Sequence, residues 1–465
     1  MPLEANDRME KDLTVIGSGP GGYVAAVLGA KKGLDVQVVE KETIGGVCTN
    51  KGCIPSKALL SVAEKIDTIN GARRDGLNAS LDGIDFRKVM TKKDRAVKIS
   101  RKAIRSLFDK HGIELIEGTA EVISPEKVKV KKDDGSTETL LSDHTIIATG
   151  SEPISLPGLE VDEEDILSSR GALNLTEIPG SMLIVGGGYI GIEMAYIFSS
   201  LGTDITIVEL EDRVLPTMDK DLSSVATQMM KRKRIEVYTE SKVAGVDKDG
   251  ELNVKIEGTT EKEMKVEKVL SSVGRRPTPP EVELDIIGDR GEIEVDDHMK
   301  TAVDNLYAVG DVTAESMLAH SAFKQAEIAV NHILGENVRG FSEYFIPAGI
   351  YTHPEMASVG LTEKEANERL SDVNVGKFSI SRTGRGSSTG ERAGLAKIIA
   401  GPDNKLVGLH LACPGATDII MEGTAALEKD MDAEEFAEMV HPHPTYSEAL
   451  KEAAENVFGE SVHSG

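Results

Sequence analysis

Cysteine is scarce in this chain: Cys48, Cys53 and Cys413 are its three cysteines among 465 residues. So few cannot build a disulfide scaffold. An odd, sparse count in a long chain suits a reducing compartment, where a close cysteine pair is more often catalytic or metal-binding than structural. Tryptophan is absent and aromatic residues make up only 4%. No run of about 18 apolar residues occurs, so no membrane-spanning helix is expected. Met1 to Lys11 is polar and acidic. It lacks the basic start and apolar stretch of a secretory leader, and a cytoplasmic location is expected. Positive charge is in deficit as well, with 53 basic against 78 acidic residues and a formal net charge of −25. That balance argues against broad contact with nucleic acid or anionic membrane, both of which need a basic footprint. It suits a basic protein partner, although a carboxylate surface also simply keeps a protein in solution.

What the chain does have is enough apolar residue, 40% with 46 glycines, to bury several cores. Its length suggests about three domains. Two segments share one pattern. The first runs Leu13-Thr14-Val15-Ile16 into Gly17-Ser18-Gly19-Pro20-Gly21-Gly22, an Ala-rich amphipathic stretch, then Val36-Gln37-Val38-Val39-Glu40. The second runs Leu183-Ile184-Val185 into Gly186-Gly187-Gly188-Tyr189-Ile190-Gly191, a helical stretch, then Ile205-Thr206-Ile207-Val208-Glu209. Each reads as strand, glycine turn, helix, strand and acid, and the first glycine lies 23 positions before the acid in both (40 − 17 and 209 − 186). One such glycine pattern is a weak signal; two at equal spacing, each after an apolar strand, point to two dinucleotide-binding units. Gly17 and Gly186 permit the tight turn. Gly19 and Gly188 let the backbone approach a pyrophosphate, and Gly22 and Gly191 let helix and strand pack closely. Glu40 and Glu209 are placed to hydrogen-bond adenosine ribose hydroxyls. Glu211 and Asp212 follow Glu209 with only Arg213 to offset them, so a nicotinamide dinucleotide there is expected to be NAD rather than NADP.

Lys88 to Lys110 is charged and helical in period. Short alternating runs at Glu114 to Glu117, Lys127 to Lys131 and Glu138 to Leu141 suggest an antiparallel insertion, and Thr145-Ile146-Ile147-Ala148 reads as a buried strand. From Pro347 onward, strands alternate with amphipathic helices and no phosphate turn appears, which suggests a separate C-terminal domain.

The stretch Gly45-Gly46-Val47-Cys48-Thr49-Asn50-Lys51-Gly52-Cys53-Ile54-Pro55-Ser56-Lys57 carries the two close cysteines. Such a pair can bind metal, sit in a core or form a disulfide. A metal site lacks further nearby ligands, and no metal is expected. Inert core cysteines usually lie in an apolar run, unlike these. A disulfide needs Cα atoms about 4.4–6.8 Å apart, which a regular helix does not give at this spacing. Gly52 supplies backbone freedom, and Pro55 suits the first turn of a helix.

Gly45 to Leu60 resembles the redox motif of the pyridine nucleotide-disulfide oxidoreductases, class I. Its Gly-Cys-Ile-Pro-Ser-Lys ending is most similar to that of the dihydrolipoamide dehydrogenases. The resemblance covers nearly the whole chain. It is carried further by Thr149-Gly150, Gly186 to Glu193, Gly274-Arg275-Arg276-Pro277, Tyr307 to Asp311, Leu318-Ala319-His320, Tyr351 to Glu355 and His443 to Glu448. It implies an α/β fold: two Rossmann-like dinucleotide-binding domains, a central segment and a C-terminal α+β dimerisation domain. The expected division is 1–152 for FAD and the redox disulfide, 153–276 for NAD, 277–346 completing the FAD site, and 347–465 for dimerisation.

The same resemblance implies that Cys48 exchanges with a dithiol substrate and that Cys53 lies against the flavin. Lys57 would sit near the reactive edge of the flavin and pair with Glu193. Asp311 would contact the ribityl chain, and Ala319 would offer backbone to the ring. Ala120, Thr149, Gly150, Val243 and Gly274 are also expected among the cofactor-binding residues. His443, oriented by Glu448, would carry the acid–base role, since a dithiol must lose a proton before its thiolate attacks. In the family this histidine reaches the disulfide of the neighbouring subunit, so a homodimer is implied. Tyr189 either covers the nicotinamide site or simply packs.

The sequence departs from the family at Thr49 and Lys51, where apolar residues are commoner. Gly386 stands where alanine is usual, and Cys413, expected to be an unreactive core or interface residue, stands where glycine is frequent. The implied reaction is oxidation of protein-bound dihydrolipoamide by NAD. The lipoyl-bearing partner would belong to a 2-oxoacid dehydrogenase or glycine-cleavage complex. Reduction of glutathione disulfide or mercuric ion fits less well, given Glu209 and a C-terminus without a vicinal cysteine pair. A purely structural role in a complex has no need for Cys48, Cys53, Lys57, His443 and Glu448 together.

Overall fold

Leu13, Thr14, Val15 and Ile16 are all buried, as in a strand covered on both faces of a parallel sheet. In the computed structural model, which describes residues 11–249 and 251–464, they lie in β1 (Lys11–Ile16). The polar start of the chain, apart from Lys11, lies outside the described residues. Then follow α1 (Pro20–Lys31), β2 (Val36–Glu40), α2 (Gly46–Lys51), α3 (Cys53–Gly71) and α4 (Phe86–His111), with β3 (Glu114–Glu117), β4 (Thr119–Ser124), β5 (Lys127–Lys131) and β6 (Thr137–Ile147) after them. The chain divides into two units. The first comprises residues 11–58, Lys88–Ile154 and Gly274–Glu343; the second comprises Leu59–Arg87, Ser155–Val273 and residues 344–464.

In the first unit, β3, β2, β1 and the end of β6 form a parallel sheet, extended beyond β6 by the strand Leu306–Ala308. Glu114–Glu117, expected in the antiparallel insertion, is instead the edge strand of this parallel sheet, in register with Gln37–Glu40. Alternation along a short strand reports which face is buried, not which neighbour it has. The insertion proper is β4, β5 and the first half of β6, paired antiparallel. Glu138–Leu141 and Thr145–Ile147 are one strand that changes partners midway, from β5 to β1. Ala25 and Ala26 of α1 and Ala326, Ala329 and Val330 of the helix Ala319–Ile333 share a core with Val15 and Ile146. The small side chains let both helices lie close, and each buried Val or Ile adds about 1.5–3 kcal/mol of transfer free energy.

The second unit repeats the parallel plan. Its strands stand in the order Glu236–Tyr238, Asp204–Val208, Ser181–Val185, Lys268–Ser271 and Ile166–Leu167. An antiparallel meander of Ser241–Asp249, Glu251–Gly258 and Lys262–Val266 is inserted before Lys268. The C-terminal part is an antiparallel sheet in the order Ala348–Ile350, Glu355–Gly360, Leu406–Cys413, Leu395–Ala400 and Asn374–Ser379, with the helix Glu448–Glu455 sharing its core. The α+β character expected after Pro347 is what the structure has.

A buried ion pair ties this sheet to the parallel part of the same unit. Lys397 and Asp219 are each 1% exposed and 2.7 Å apart. Asp221 and Glu363 also accept from the Lys397 ammonium, at 2.8 and 2.6 Å. Burial opposes ionisation of Asp219. Nearby His410, the Lys397 hydrogen bond and the amides of Glu363 and Asp221 outweigh it and bring its pKa down to about 2.

Candidate redox site and dinucleotide turns

The helix carrying Cys48 and the helix carrying Cys53 are different helices. α2 ends at Lys51, Gly52 breaks it, and α3 begins at Cys53 itself. That break brings the two Cα atoms to 4.6 Å, and Cys48 and Cys53 form a disulfide. Both cysteines are half-buried, while Val47 beside them is 39% exposed. Pro55 sits in the first turn of α3, where its missing N–H leaves no bond unmade. Asn50, not singled out from the sequence, organises the loop. Its Nδ2 donates to the carbonyls of Thr43, Ile44 and Gly46 at 3.2, 3.1 and 2.8 Å, and its Oδ1 accepts from Arg101 Nε of α4. Thr49 is buried, and Lys51 pairs with Glu42. Gly46 has φ +58°, and a Cβ there would stand 2.6 Å from Gly19 Cα, so the redox loop runs against the first glycine turn through glycine on both sides.

The two glycine turns are built alike. Gly17 has φ +98° and Gly186 φ +100°; a Cβ on Gly22 would meet Gly17 O at 1.9 Å, and one on Gly191 would meet Gly186 O at 2.0 Å. Gly19 and Gly188 cap α1 and the helix Tyr189–Leu201 without side-chain hydrogen bonds, which leaves the helix N-termini to an anion. Glu40 Oε2 accepts from the amide and hydroxyl of Ser18 at 2.9 and 2.5 Å, and Oε1 accepts from the amide of Glu42 at 2.8 Å. Glu209 repeats this with the amides of Gly187 and Glu211, at 2.6 and 2.8 Å. Ser18 was a further participant that the glycine pattern alone did not reveal.

The other expected cofactor residues fall in several places. Thr149 Oγ1 is buried without a hydrogen-bond partner among the described residues, as befits a hydroxyl that serves a group outside the chain. The Thr149 carbonyl accepts from the Thr278 hydroxyl at 3.2 Å, and the Gly150 carbonyl from the Thr278 amide at 3.0 Å. Gly274 holds φ +127° and accepts from the Ile154 amide at 3.1 Å. Asp311 accepts from the Ser151 hydroxyl, with the half-buried Arg275 3.8 Å away. Ala319 is the first residue of its helix. Ala120 is buried within β4 opposite Val130, and Val243 is half-buried in the second unit's meander. Lys57 lies one turn after Cys53 on α3. Glu193 is buried and accepts from the Tyr351 amide at 3.2 Å. Burial pushes the Tyr189 phenol above its ordinary pKa, against a hydrogen bond with Thr217. The unpartnered hydroxyl, the open helix N-termini and the glycine cradle fit dinucleotides at both turns.

His443 belongs to the second unit. Its Nδ1 stands 2.7 Å from Glu448 Oε1, while Glu448 Oε2 accepts from the Thr445 amide at 2.7 Å. The ring is 73% exposed. Two residues earlier, His441 bridges the Met439 carbonyl at 3.1 Å and Glu422 at 3.0 Å. Its hydrogen bond to Glu422 raises its pKa and anchors the loop. Cys413 is buried, and burial pushes its thiol well above the ordinary range.

A disulfide opening a helix, two matched dinucleotide turns and a carboxylate-oriented histidine are the parts of a dinucleotide-linked disulfide oxidoreductase. Residues 11–326 match the family described as pyridine nucleotide-disulphide oxidoreductase, and residues 346–454 match its dimerisation domain. The chain belongs to the pyridine nucleotide-disulphide oxidoreductase family. Dihydrolipoyl dehydrogenase of Halobacterium salinarum is 37% identical over 472 residues, covering 97% of each chain. One of Bacillus subtilis is 38% identical over 465 residues, covering 98% of each. Dihydrolipoyl dehydrogenase 2, mitochondrial, of Arabidopsis thaliana is 36% identical, covering 98% of this chain and 92% of its own. Among solved structures, LpdA from Mycobacterium tuberculosis superposes with a TM-score of 0.88 at 25% identity, covering 96% of this chain and 99% of that one. The family uses FAD and NAD. The dimerisation domain supports a homodimer, and no helix among the described residues is long and apolar enough to cross a membrane.

Proposed function

We propose that the chain is an NAD-dependent dihydrolipoamide dehydrogenase, oxidising protein-bound dihydrolipoamide through the Cys48–Cys53 disulfide. The observation that carries this reading is that disulfide at the start of α3, beside a glycine turn whose twin recurs in the second unit. One substrate thiolate attacks Cys48 Sγ and displaces the Cys53 thiolate. The second substrate thiol then displaces Cys48, leaving a substrate disulfide and two reduced cysteines. His443 of one subunit accepts the proton released at the other subunit's disulfide, and Glu448 holds the ring with Nε2 outward. Bound FAD supplies the two-electron acceptor through which the reduced pair is reoxidised by NAD.

The first turn, with Glu40, Ala120, Thr149, Gly150, Asp311 and Ala319, is assigned to FAD, with Lys57 and Glu193 as a charged pair near the ring. The second turn, with Tyr189, Glu209, Val243 and Gly274, is assigned to NAD. The working division is 1–152, 153–276, 277–346 and 347–465. The dithiol arrives on a lipoyl-bearing protein of a 2-oxoacid dehydrogenase or glycine-cleavage complex. A cytoplasmic setting agrees with the sparse cysteines, although some relatives are mitochondrial. Steady-state assays of the purified protein with dihydrolipoamide and NAD or NADP test the reading: NADH formation is expected. Turnover of glutathione disulfide by NADPH, with no NADH from dihydrolipoamide, would overturn it.

A further inference from the structure

In a chain of net charge −25, α4 is strongly basic: of its 26 residues ten are Lys or Arg and two are Asp. Both acids are matched locally, Asp94 by Lys93 at 2.9 Å and Asp109 by Arg105 at 3.2 Å. The cations are not spread evenly round the helix. Arg95, Lys98, Lys102 and Arg105 follow at intervals of three and four, which sets them on one face about 15 Å long, and all four are exposed. Ile99, 59% exposed, adds an apolar spot near this stripe. Arg101 lies at the edge of the same face. It is half-buried and donates through Nε to Asn50 between the two cysteines. The basic face therefore adjoins the redox loop directly, and the exposed Val47 next to Cys48 lies in that loop.

We propose that this face of α4 is the docking surface for an acidic protein domain that carries the dithiol to Cys48. A net charge of the opposite sign over the whole chain does not explain so dense a cationic stripe beside the reacting sulfurs; a ligand delivered on an anionic carrier does, because a local field of one sign raises encounter rates and fixes orientation. On the proposed reading a second copy meets the redox loop through its dimerisation domain, residues 346–454, and a dithiol must still reach Cys48 beside it, so the occupant argued for is the dithiol's carrier. The net acidity of the chain repels the same carrier elsewhere and confines it to this face. The proposal rests on the dithiol substrate being protein-bound.

The test compares two substrates: free dihydrolipoamide, and a purified acidic lipoyl domain reduced to its dihydrolipoyl form. The charge-reversal variant R95E/K98E/K102E leaves Arg101 in place. KM for the carried dithiol is expected to rise about tenfold at low salt, with free dihydrolipoamide turnover within about twofold of wild type. Wild-type KM should rise with sodium chloride for the carried substrate alone. The neutral variant K98Q/K102Q, expected to shift KM in the same direction by less, guards against a folding defect in the triple variant. An unmoved KM, or equal losses on both substrates, would overturn the proposal. So would a dimer that dissociates in sedimentation, which would assign the face to a second copy. Loss of binding to phosphatidylglycerol vesicles with KM unmoved would assign it to a membrane instead. Direct binding of the lipoyl domain separates the two readings: stripe-dependent, salt-sensitive binding without NADH formation sinks the catalytic reading and leaves the docking face standing.

Discussion

Nδ1 of His443 lies 2.7 Å from Glu448 Oε1, and the other oxygen of that carboxylate is held by the Thr445 amide. The carboxylate is thus fixed before it fixes the imidazole, so the ring presents Nε2 outward. Replacement His443→Gln is expected to lower dithiol oxidation by about 10²–10⁴-fold, the usual contribution of a positioned general base. Reduction of ferricyanide by NADH, which needs no dithiol, should be unchanged. Glu448→Gln should lower the rate less, because the amide contact can persist while the charge is lost. Equal losses in both assays would show that the pair acts on folding or cofactor binding.

The two kinds of cysteine should separate by chemistry. Cys413 is buried and its thiol is held up by burial, whereas Cys48 is half-buried in a polar loop. After reduction with dithiothreitol, iodoacetamide should label Cys48 in the native protein and reach Cys413 only after unfolding. Peptide mass mapping reads this out. Cys48→Ser should abolish dithiol turnover with the flavin retained, and flavin loss would contradict its assigned place at the substrate side.

Glu209 accepts two backbone amides at the second turn. Glu209→Gln keeps an oxygen acceptor and removes the charge that opposes a 2′-phosphate. The ratio of kcat/KM for NADP to that for NAD should rise by roughly tenfold, equivalent to about 1.4 kcal/mol. A ratio unmoved by this change would place discrimination elsewhere, with Glu211 and Asp212 next to examine.

The Lys397–Asp219 pair predicts an acid-sensitive stability. Asp219 has its pKa lowered from 3.8 to about 2 on folding. The unfolded chain therefore binds that proton more readily, and the contribution, about 2 kcal/mol, is fully present above pH 4. It is lost as pH falls from 4 through 2. Lys397→Met leaves a buried carboxylate without its cation and should cost about 3–5 kcal/mol, read as a lowered denaturation midpoint in guanidinium at pH 7. A midpoint within error of wild type would mean that Asp221 and its neighbours relax to let in water.

The fold class and the two dinucleotide turns were legible because their requirements are local. Gly17, Gly22, Gly186 and Gly191 occupy positions where any Cβ would strike backbone, and such positions print directly into sequence. Asn50, Ser18 and His441 were not legible as organisers. A polar side chain reveals its role only through partners that the fold brings to it, here loop carbonyls, a strand-end carboxylate and Glu422.

Sequence by itself determined the repeated strand–turn–helix–acid unit, the apolar strands and the presence of a cysteine pair five positions apart, since each depends on spacing along the chain. Tertiary structure alone decided that Glu114–Glu117 joins the parallel sheet, that β6 changes partners midway, and that Arg101 brings a basic helix face against the redox loop. Those outcomes depend on which elements become neighbours. A period of two or of 3.6 residues reports a buried face, and says nothing of what lies across it.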